Sequence, residues 1–117
     1  MRSAQSSLSV DVQPDAQDPS TVRVRLDGEL DITSSPLLQT VVEQVLQARR
    51  DPSCTRLVVD MSGVGFADAS GISPLLLARA MLNRRGGQIE LRHCRRVVLR
   101  LLRLLDLGEL AYLEDAG

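Results

Sequence analysis

The apolar run TRLVVDM, Thr55–Met61, constrains the fold most, because it lies between two segments with helical periodicity. Its apolar residues do not alternate with polar ones, which is typical of a central strand buried on both faces. Upstream, apolar residues recur at helical spacing from Pro36 to about Arg50, and downstream ISPLLLARAMLNRR (72–85) shows the same period. A strand between two helices predicts parallel crossover connections, and therefore an α/β fold.

The start of the chain predicts a β-hairpin. Two segments, LSVDVQ (8–13) and TVRVRL (21–26), alternate apolar with polar residues, as half-buried strands do. The cluster PDAQDPS between them is rich in turn residues. Residues 1–6 are polar, and we expect them to form a flexible N-terminus.

The C-terminal part adds QIELRH (88–93) as a strand, a helix within CRRVVLRLLRLLDLG (94–108) with Gly108 just beyond its end, and LAYLE (110–114) as a last short strand. The preceding helix is expected to begin between Ser70 and Ser73, because Pro74 is tolerated only in a first turn. The resulting order, ββαβαβα(β), predicts one α/β domain over residues 7–114. Its mixed sheet has four or five strands, with the helices mainly on one side.

Composition excludes several classes of function. Aromatic residues make up 2% of the chain and the net charge is −1, which disfavours nucleic-acid and carbohydrate binding. Cys54 and Cys94 stand far apart with no neighbouring His cluster, so we expect no metal or other cofactor. The chain shows no export signal and no long apolar run, which predicts a cytoplasmic protein without membrane insertion.

Enzymatic motifs are also missing from the sequence. A serine hydrolase needs Ser, His and an acid, but the single histidine is His93, and Asp68 occupies the place of the first Gly of G-x-S-x-G around Ser70. The sequence contains neither G-x-x-x-x-G-K-[ST] nor G-x-G-x-x-G, the two glycine-rich motifs that bind nucleotide phosphates. We therefore predict no catalytic residues.

The stretch FADASGI (66–72) allows three roles for Ser70. A serine at a strand-to-helix turn can cap the helix, act as a nucleophile or accept a phosphate. Two acidic segments, GELD (28–31) and DMSGV (60–64), end neighbouring predicted strands. Loops that leave the carboxyl ends of parallel strands meet at one sheet edge, so both are expected beside Ser70. Each aspartate also has a purely structural interpretation. Asp31 would cap a turn, and Asp60 would accept hydrogen bonds from backbone amides.

Three segments carry a family resemblance: VRLDGELDITSSPLL, RLVVDMSGVGFADASGISPLLLA and GGQIEL. They resemble the STAS domain, specifically the small single-domain anti-sigma factor antagonists (anti-anti-sigma factors), from about Leu8 to Leu113. The resemblance is specific because the motifs G-E-L-D and D-x-S-G-V-x-F-x-D-x-S-G occur together in this chain. Either motif alone would be weak evidence for the family. The resemblance implies a mixed sheet flanked by helices, in agreement with the order above.

The resemblance also implies a function. Members of that family bind an anti-sigma factor that is also a serine kinase, free a sigma factor, and are switched off by phosphorylation of the Ser in D-x-S-G, which a phosphatase reverses. By position, that Ser matches Ser70, the preceding acid matches Asp68, and the acid of G-E-L-D matches Asp31. The implied partner-binding residues are Glu29, Asp31, Thr33, Asp68, Ser70 and Gly71.

Other interpretations stay open at this point. The domain would also suit a scaffold or subunit of a lipid-transport or stress-signalling complex in which Ser70 is never phosphorylated, or a nucleotide-binding site on the acidic edge. Whether the domain forms a weak homodimer through a sheet edge is open as well. The third helix is unusually rich in arginine for the family, and the simplest explanation of that is a solvated basic face: Arg95, Arg96, Arg100 and Arg103.

Overall fold

The structure, a computed structural model, describes residues 8–46 and 54–111. Within these ranges the elements follow the predicted order. They are β1 (Leu8–Pro14), β2 (Thr21–Leu30), α1 (Ser35–Leu46), β3 (Arg56–Ala67), α2 (Ala69–Asn83), β4 (Gln88–Arg92) and α3 (Arg96–Leu104), followed by a short 3-10 helix (Gly108–Leu110).

The four strands form one mixed sheet in the order β1-β2-β3-β4. Strand β1 is antiparallel to β2, as the predicted hairpin requires, while β2, β3 and β4 are mutually parallel. The buried run Leu57–Val59 occupies the interior of the sheet, with no more than 3% of any of its residues exposed. The predicted fold class is confirmed.

The hydrophobic core lies between one sheet face and the helices. Alternate residues of the parallel strands, such as Val24 and Val59, pack against Leu38 and Val42 of α1 and Leu75 of α2. Helix α3 packs against β3 and completes the same core with two side chains that have no exposed surface: Val98 and Leu102. The helices therefore bury the apolar residues that the period-two pattern assigns to a single face.

The opposite sheet face carries charges that alternate across the strands. Asp11 stands opposite Arg25, Arg25 opposite Asp60, and Asp60 opposite Arg92 in the strand register. The guanidinium of Arg25 lies 3.0 Å from the carboxylate of Asp27 and 3.6 Å from that of Asp60. Cross-strand pairs of opposite charge stabilise a sheet face that the helices leave uncovered.

Glu90 is the most enclosed charge on this face, with 7% of its surface exposed. Arg56 donates to both of its carboxylate oxygens, at 2.8 and 3.1 Å, and Arg92 donates to one of them at 2.9 Å. The hydrogen bonds from Arg56, reinforced by Arg92, hold the pKa of Glu90 below its usual value although burial opposes this. Glu90 therefore gives the fold a stabilising contribution that depends on pH.

We expect Glu90→Gln to lower the free energy of unfolding by about 1–2 kcal/mol at neutral pH, because an amide cannot replace a carboxylate between two guanidinium groups. Since the folded-state pKa is depressed, this contribution is complete above the usual value of 4.5 and is lost as the pH falls through the folded-state pKa. Urea unfolding at several pH values should show that the free energies of unfolding of the wild-type protein and of Glu90→Gln become equal at acidic pH. Glu43→Gln is the control, because Glu43 is a half-exposed residue of α1 whose carboxylate accepts a hydrogen bond from the Gln39 amide rather than from an arginine. An equal loss from both changes would contradict the prediction.

The predicted end of β3 is wrong, because the strand runs on to Ala67 rather than ending within DMSGV (60–64). Strand β2 ends at Leu30, within GELD (28–31), as predicted. The pairing of β2 with β3 continues through two register shifts, where β3 has more residues than β2. Such bulges keep two strands paired beyond the point where the simple alternation of side chains ends. A prediction from the local sequence pattern alone therefore ends β3 too early.

Helix α2 begins at Ala69, next to the predicted start near Ser70 to Ser73, but Pro74 is its sixth residue and so does not lie in the first turn as predicted. Pro74 has no N–H to donate to the carbonyl of Ser70, one turn before it. The helix nevertheless continues to Asn83 without that hydrogen bond.

The C-terminal elements are shorter than predicted. Helix α3 covers Arg96–Leu104 rather than the predicted residues 94–107. Leu110 belongs to a 3-10 helix, and Ala111 makes a single bridge to Leu91, so no fifth strand is found up to residue 111. The rest of the predicted strand, the end of α1 near Arg50 and the N-terminal residues 1–6 lie outside the described residues.

Candidate functional site

The extended ends of β2 and β3 bring the two predicted segments together. Glu29 lies opposite Phe66 and Leu30 opposite Ala67 in the parallel register. Gly28, next to one register shift, has a φ of 126°, which side chains disfavour strongly. The GELD segment and the FADASGI segment therefore leave the sheet side by side, as predicted.

Asp68 caps helix α2. It has extended backbone angles, and its Oδ1 accepts a hydrogen bond from the Gly71 N–H at 3.0 Å. Its own N–H donates to the Leu30 carbonyl at 3.0 Å, which ties the start of the helix to the end of β2. Ser70 is thus not the cap but the second residue of the helix, in the turn where N–H groups have no intrahelical acceptor.

Gly71 sets how closely α2 approaches β2. A Cβ atom at this position would overlap the carbonyl group of Leu30 and the backbone nitrogen of Asp31. Only a residue without a side chain permits this contact, so Gly71 is required for packing. Gly71 is buried, so it lies beneath the surface rather than on it.

Asp31 organises the neighbouring turn before α1. Its Oδ1 accepts hydrogen bonds from the N–H groups of Thr33 and Ser34, both at 3.0 Å. The buried Ser34 hydroxyl donates to the Glu29 carbonyl at 2.8 Å. These bonds fix the loop that carries Glu29 and Thr33, and they assign Asp31 the turn-capping role expected from its residue type.

The exposed residues of the two segments form one surface, which we call the Ser70 surface. It comprises Glu29, Ile32, Thr33, Phe66, Ala69 and Ser70. Ile32 is 73% exposed and Phe66 44% exposed, so each of the two segments carries a large exposed apolar side chain. Exposed apolar groups beside polar ones are typical of protein–protein contact sites.

Sequence analysis predicted Glu29, Thr33 and Ser70 on this surface but missed Ile32 and Phe66. Asp31 and Asp68 are half-buried and act as caps beneath it. The available signal was an apolar residue inside an otherwise polar turn, DITSS, and the single phenylalanine of the chain. That signal becomes specific only when the exposure of each side chain is known.

Asp60 does not join the Ser70 surface, contrary to the prediction. It lies within β3 on the charged sheet face, where it accepts a hydrogen bond from the Ser62 N–H at 2.9 Å. Burial opposes its ionisation, but the bonds from Ser62 and the nearby positive charges outweigh this and lower the pKa of Asp60. The structure thus gives Asp60 the role of a partner for backbone amides.

Neither cysteine has the character of a catalytic nucleophile. Cys54 is buried, and burial raises the pKa of the Cys94 thiol to about 11, so the reactive thiolate is scarce at neutral pH. Residues 8–46 and 54–111 contain no group of three or more His, Cys, Asp or Glu side chains arranged to hold a metal ion. Among the same residues, none of the helices has the length and apolar character needed to cross a membrane.

The sequence resembles characterised regulators. It is 28% identical over 92 residues to the anti-sigma F factor antagonist of Paenibacillus polymyxa, covering 79% of this chain and 76% of the relative. A solved anti-sigma factor antagonist from Mycobacterium paratuberculosis superposes with a TM-score of 0.76 at 20% identity, covering 96% of this chain and 90% of the other. At that identity the structural match supports the fold alone.

A second solved protein, SpoIIAA of Bacillus, matches in two states. Its unphosphorylated form superposes with a TM-score of 0.75 at 19% identity, covering 89% of this chain and 86% of the other. Its phosphorylated form gives 0.69 at 18% identity, with 89% of each chain covered. The family model described as "Mlab, STAS domain" matches residues 15–114, most of the chain. The chain therefore belongs to the STAS domain family.

Proposed function

We propose that this protein is an anti-sigma factor antagonist that acts without catalysis in the cytoplasm. It binds an anti-sigma factor serine kinase and so frees a sigma factor, and phosphorylation of Ser70 switches it off until a phosphatase removes the phosphate. The observation that carries the proposal is the position of Ser70. It is an exposed hydroxyl in the first turn of α2, on a surface with two exposed apolar side chains.

The fold is suited to carry a phosphate at this position. Ser70 follows the cap Asp68 by two residues, and the first intrahelical bond of the turn runs from the Ile72 N–H to the Asp68 carbonyl. The N–H groups before it and the positive end of the helix favour a negative charge of about −1.5 to −2. Phosphorylation is therefore expected to leave the folded state intact.

A bound partner responds differently to the same charge. Within the complex, a phosphate on Ser70 would lie near the carboxylates of Asp68 and Glu29 and would be removed from water. Both desolvation and repulsion between like charges oppose binding. The names of the relatives support this reading, since they are anti-sigma factor antagonists and SpoIIAA has a phosphorylated form.

The direct test incubates the purified protein with the anti-sigma factor kinase and ATP, followed by Phos-tag electrophoresis and intact mass measurement. We expect the mass of one phosphate on the wild-type protein and on Ser73→Ala, and none on Ser70→Ala. Ser73 is the matched control because it is also exposed and lies one turn further along α2. A kinase that neither binds the protein nor modifies Ser70 would refute the proposal.

A second candidate function is that of a scaffold or subunit in a larger assembly, with Ser70 left unmodified. It is favoured by the description of the matching family, "Mlab, STAS domain", which names no sigma factor. A transporter gene beside this one, rather than a kinase gene, would support it. Full activity of Ser70→Ala together with the absence of phosphate on the protein isolated from its host would decide in its favour.

A further inference from the structure

The outward face of α3 is basic and lies away from the Ser70 surface in the chain. An open groove on this face is lined by Arg96, Leu99, Arg100, Arg103 and Leu104. Leu104 is 76% exposed, whereas Val98 and Leu102 on the inward side have no exposed surface. The helix therefore uses one side for folding and leaves the other available for contact. We call the five groove residues the α3 groove.

The three arginines of the α3 groove form no ion pair within residues 8–46 and 54–111. The arginines of the sheet face differ, since Arg25 and Arg56 both lie next to carboxylates. Helix α3 thus carries three arginines whose charge no carboxylate of the described residues neutralises. This charge is available to a partner.

The stability of α3 accounts for Arg103, which lies in the last turn where a cation suits the helix dipole, but not for Arg96 at the first helical position. Arg95 occupies the N-cap without a side-chain capping bond, and Arg96 is the first helical residue. Arginine is a poor cap, and the positive end of a helix repels cations. Arg95 is held in place by its hydrogen bond to the Ser62 carbonyl at 2.8 Å, so Arg96 is the residue that opposes local helix formation without a structural reason. Residues that conflict with the local structure are expected at functional surfaces.

The spacing of the arginines indicates the shape of the partner. Arg96, Arg100 and Arg103 follow one another at intervals of four and three residues, which places them along one side of the helix. A facing helix with glutamates at the same intervals would present its carboxylates at matching heights, since both helices rise about 1.5 Å per residue. Guanidinium groups bind carboxylates through two parallel hydrogen bonds, and Leu99 and Leu104 supply apolar contact between them.

We propose that the α3 groove binds an acidic amphipathic helix of a protein partner. A membrane surface fits less well, because an interfacial helix inserts its apolar side and α3 buries that side in its own core. Nucleic acid fits less well too, because the groove has no aromatic side chain for stacking and the whole chain has a net charge of −1. This proposal does not depend on the function of Ser70.

The test measures binding of a synthetic helical peptide of repeated Glu-Ala-Ala-Leu-Glu-Ala-Ala by fluorescence anisotropy at low and high salt. The matched peptide has Gln in place of every Glu. We expect the acidic peptide to bind, the neutral peptide not to bind, and salt to weaken the complex. Equal binding of the two peptides, or no binding of the acidic one, would overturn the proposal.

Variants locate the site. Arg100→Gln should weaken binding of the acidic peptide about threefold, and the triple change of Arg96, Arg100 and Arg103 to Gln about thirtyfold. Arg84→Gln is the matched control, because Arg84 is exposed but lies at the end of α2. An equal loss from Arg84→Gln, or an effect of the triple change on phosphatidylglycerol vesicles or duplex DNA but not on the peptide, would refute an acidic helix as the partner.

Arg96→Glu separates binding from folding. An acid at the first helical position suits the helix dipole, so the thermal midpoint should rise by about 2 °C while peptide binding falls. A purely structural role for Arg96 predicts the opposite, a lower midpoint. That result would remove the argument for a functional surface.

Discussion

Replacing Ser70 with Asp is expected to weaken binding of the anti-sigma factor kinase about a hundredfold, a loss of about 3 kcal/mol. The substituted carboxylate would lie on the Ser70 surface beside Glu29 and above Asp68, and the partner would have to remove it from water. A phosphate carries about twice the charge of Asp and should weaken binding at least as much. Isothermal titration calorimetry of the wild-type and Asp proteins against the kinase measures the difference.

The same substitution should leave the fold unchanged or slightly more stable. Ser70 is the second residue of α2, where an acidic side chain gains about 0.5 kcal/mol from the helix dipole. The matched control is Gln44→Glu, which adds one negative charge on an exposed position of α1. Loss of binding in both variants would indicate a general charge effect. Unchanged binding of Ser70→Asp would contradict the switch.

Much of the fold was predictable because its information is local. The period-two segments and the helical segments each carry their pattern within a few turns, so the element order follows from the sequence alone. The juxtaposition of GELD with FADASGI was also predictable, since parallel strands present their carboxyl ends at one edge. The observed pairing of Glu29 with Phe66 confirms that step.

What the sequence did not predict depends on contacts between distant residues. The register shifts that lengthen β3 beyond Met61 arise from its pairing with β2, which no pattern within β3 encodes. The exposure of Ile32 and Phe66 is likewise a property of the assembled surface. Pro74 shows a third limit, because the usual rule places a proline in the first turn of a helix, whereas α2 continues through Pro74 as its sixth residue.

Replacing Gly71 with Ala is expected to lower the free energy of unfolding by about 3 kcal/mol, a large effect for the addition of one methyl group. The added Cβ would overlap the Leu30 carbonyl group and the nitrogen of Asp31. These are backbone atoms at the end of a paired strand, and the Leu30 oxygen also accepts the hydrogen bond from Asp68. No side chain can rotate to relieve the overlap, so the start of α2 has to move away from β2.

Gly108→Ala provides the control, because a Cβ at Gly108 would have no atom within 4 Å. Urea unfolding of both variants separates the effect of the clash from that of losing a flexible glycine, which by itself stabilises a helical position by about 1 kcal/mol. The displacement of α2 should also shift Ser70 relative to Glu29, so the folded fraction of Gly71→Ala should be a poorer substrate for the kinase. If Gly71→Ala retained both the wild-type stability and the wild-type rate of phosphorylation, the close packing of α2 on β2 would not be what positions Ser70.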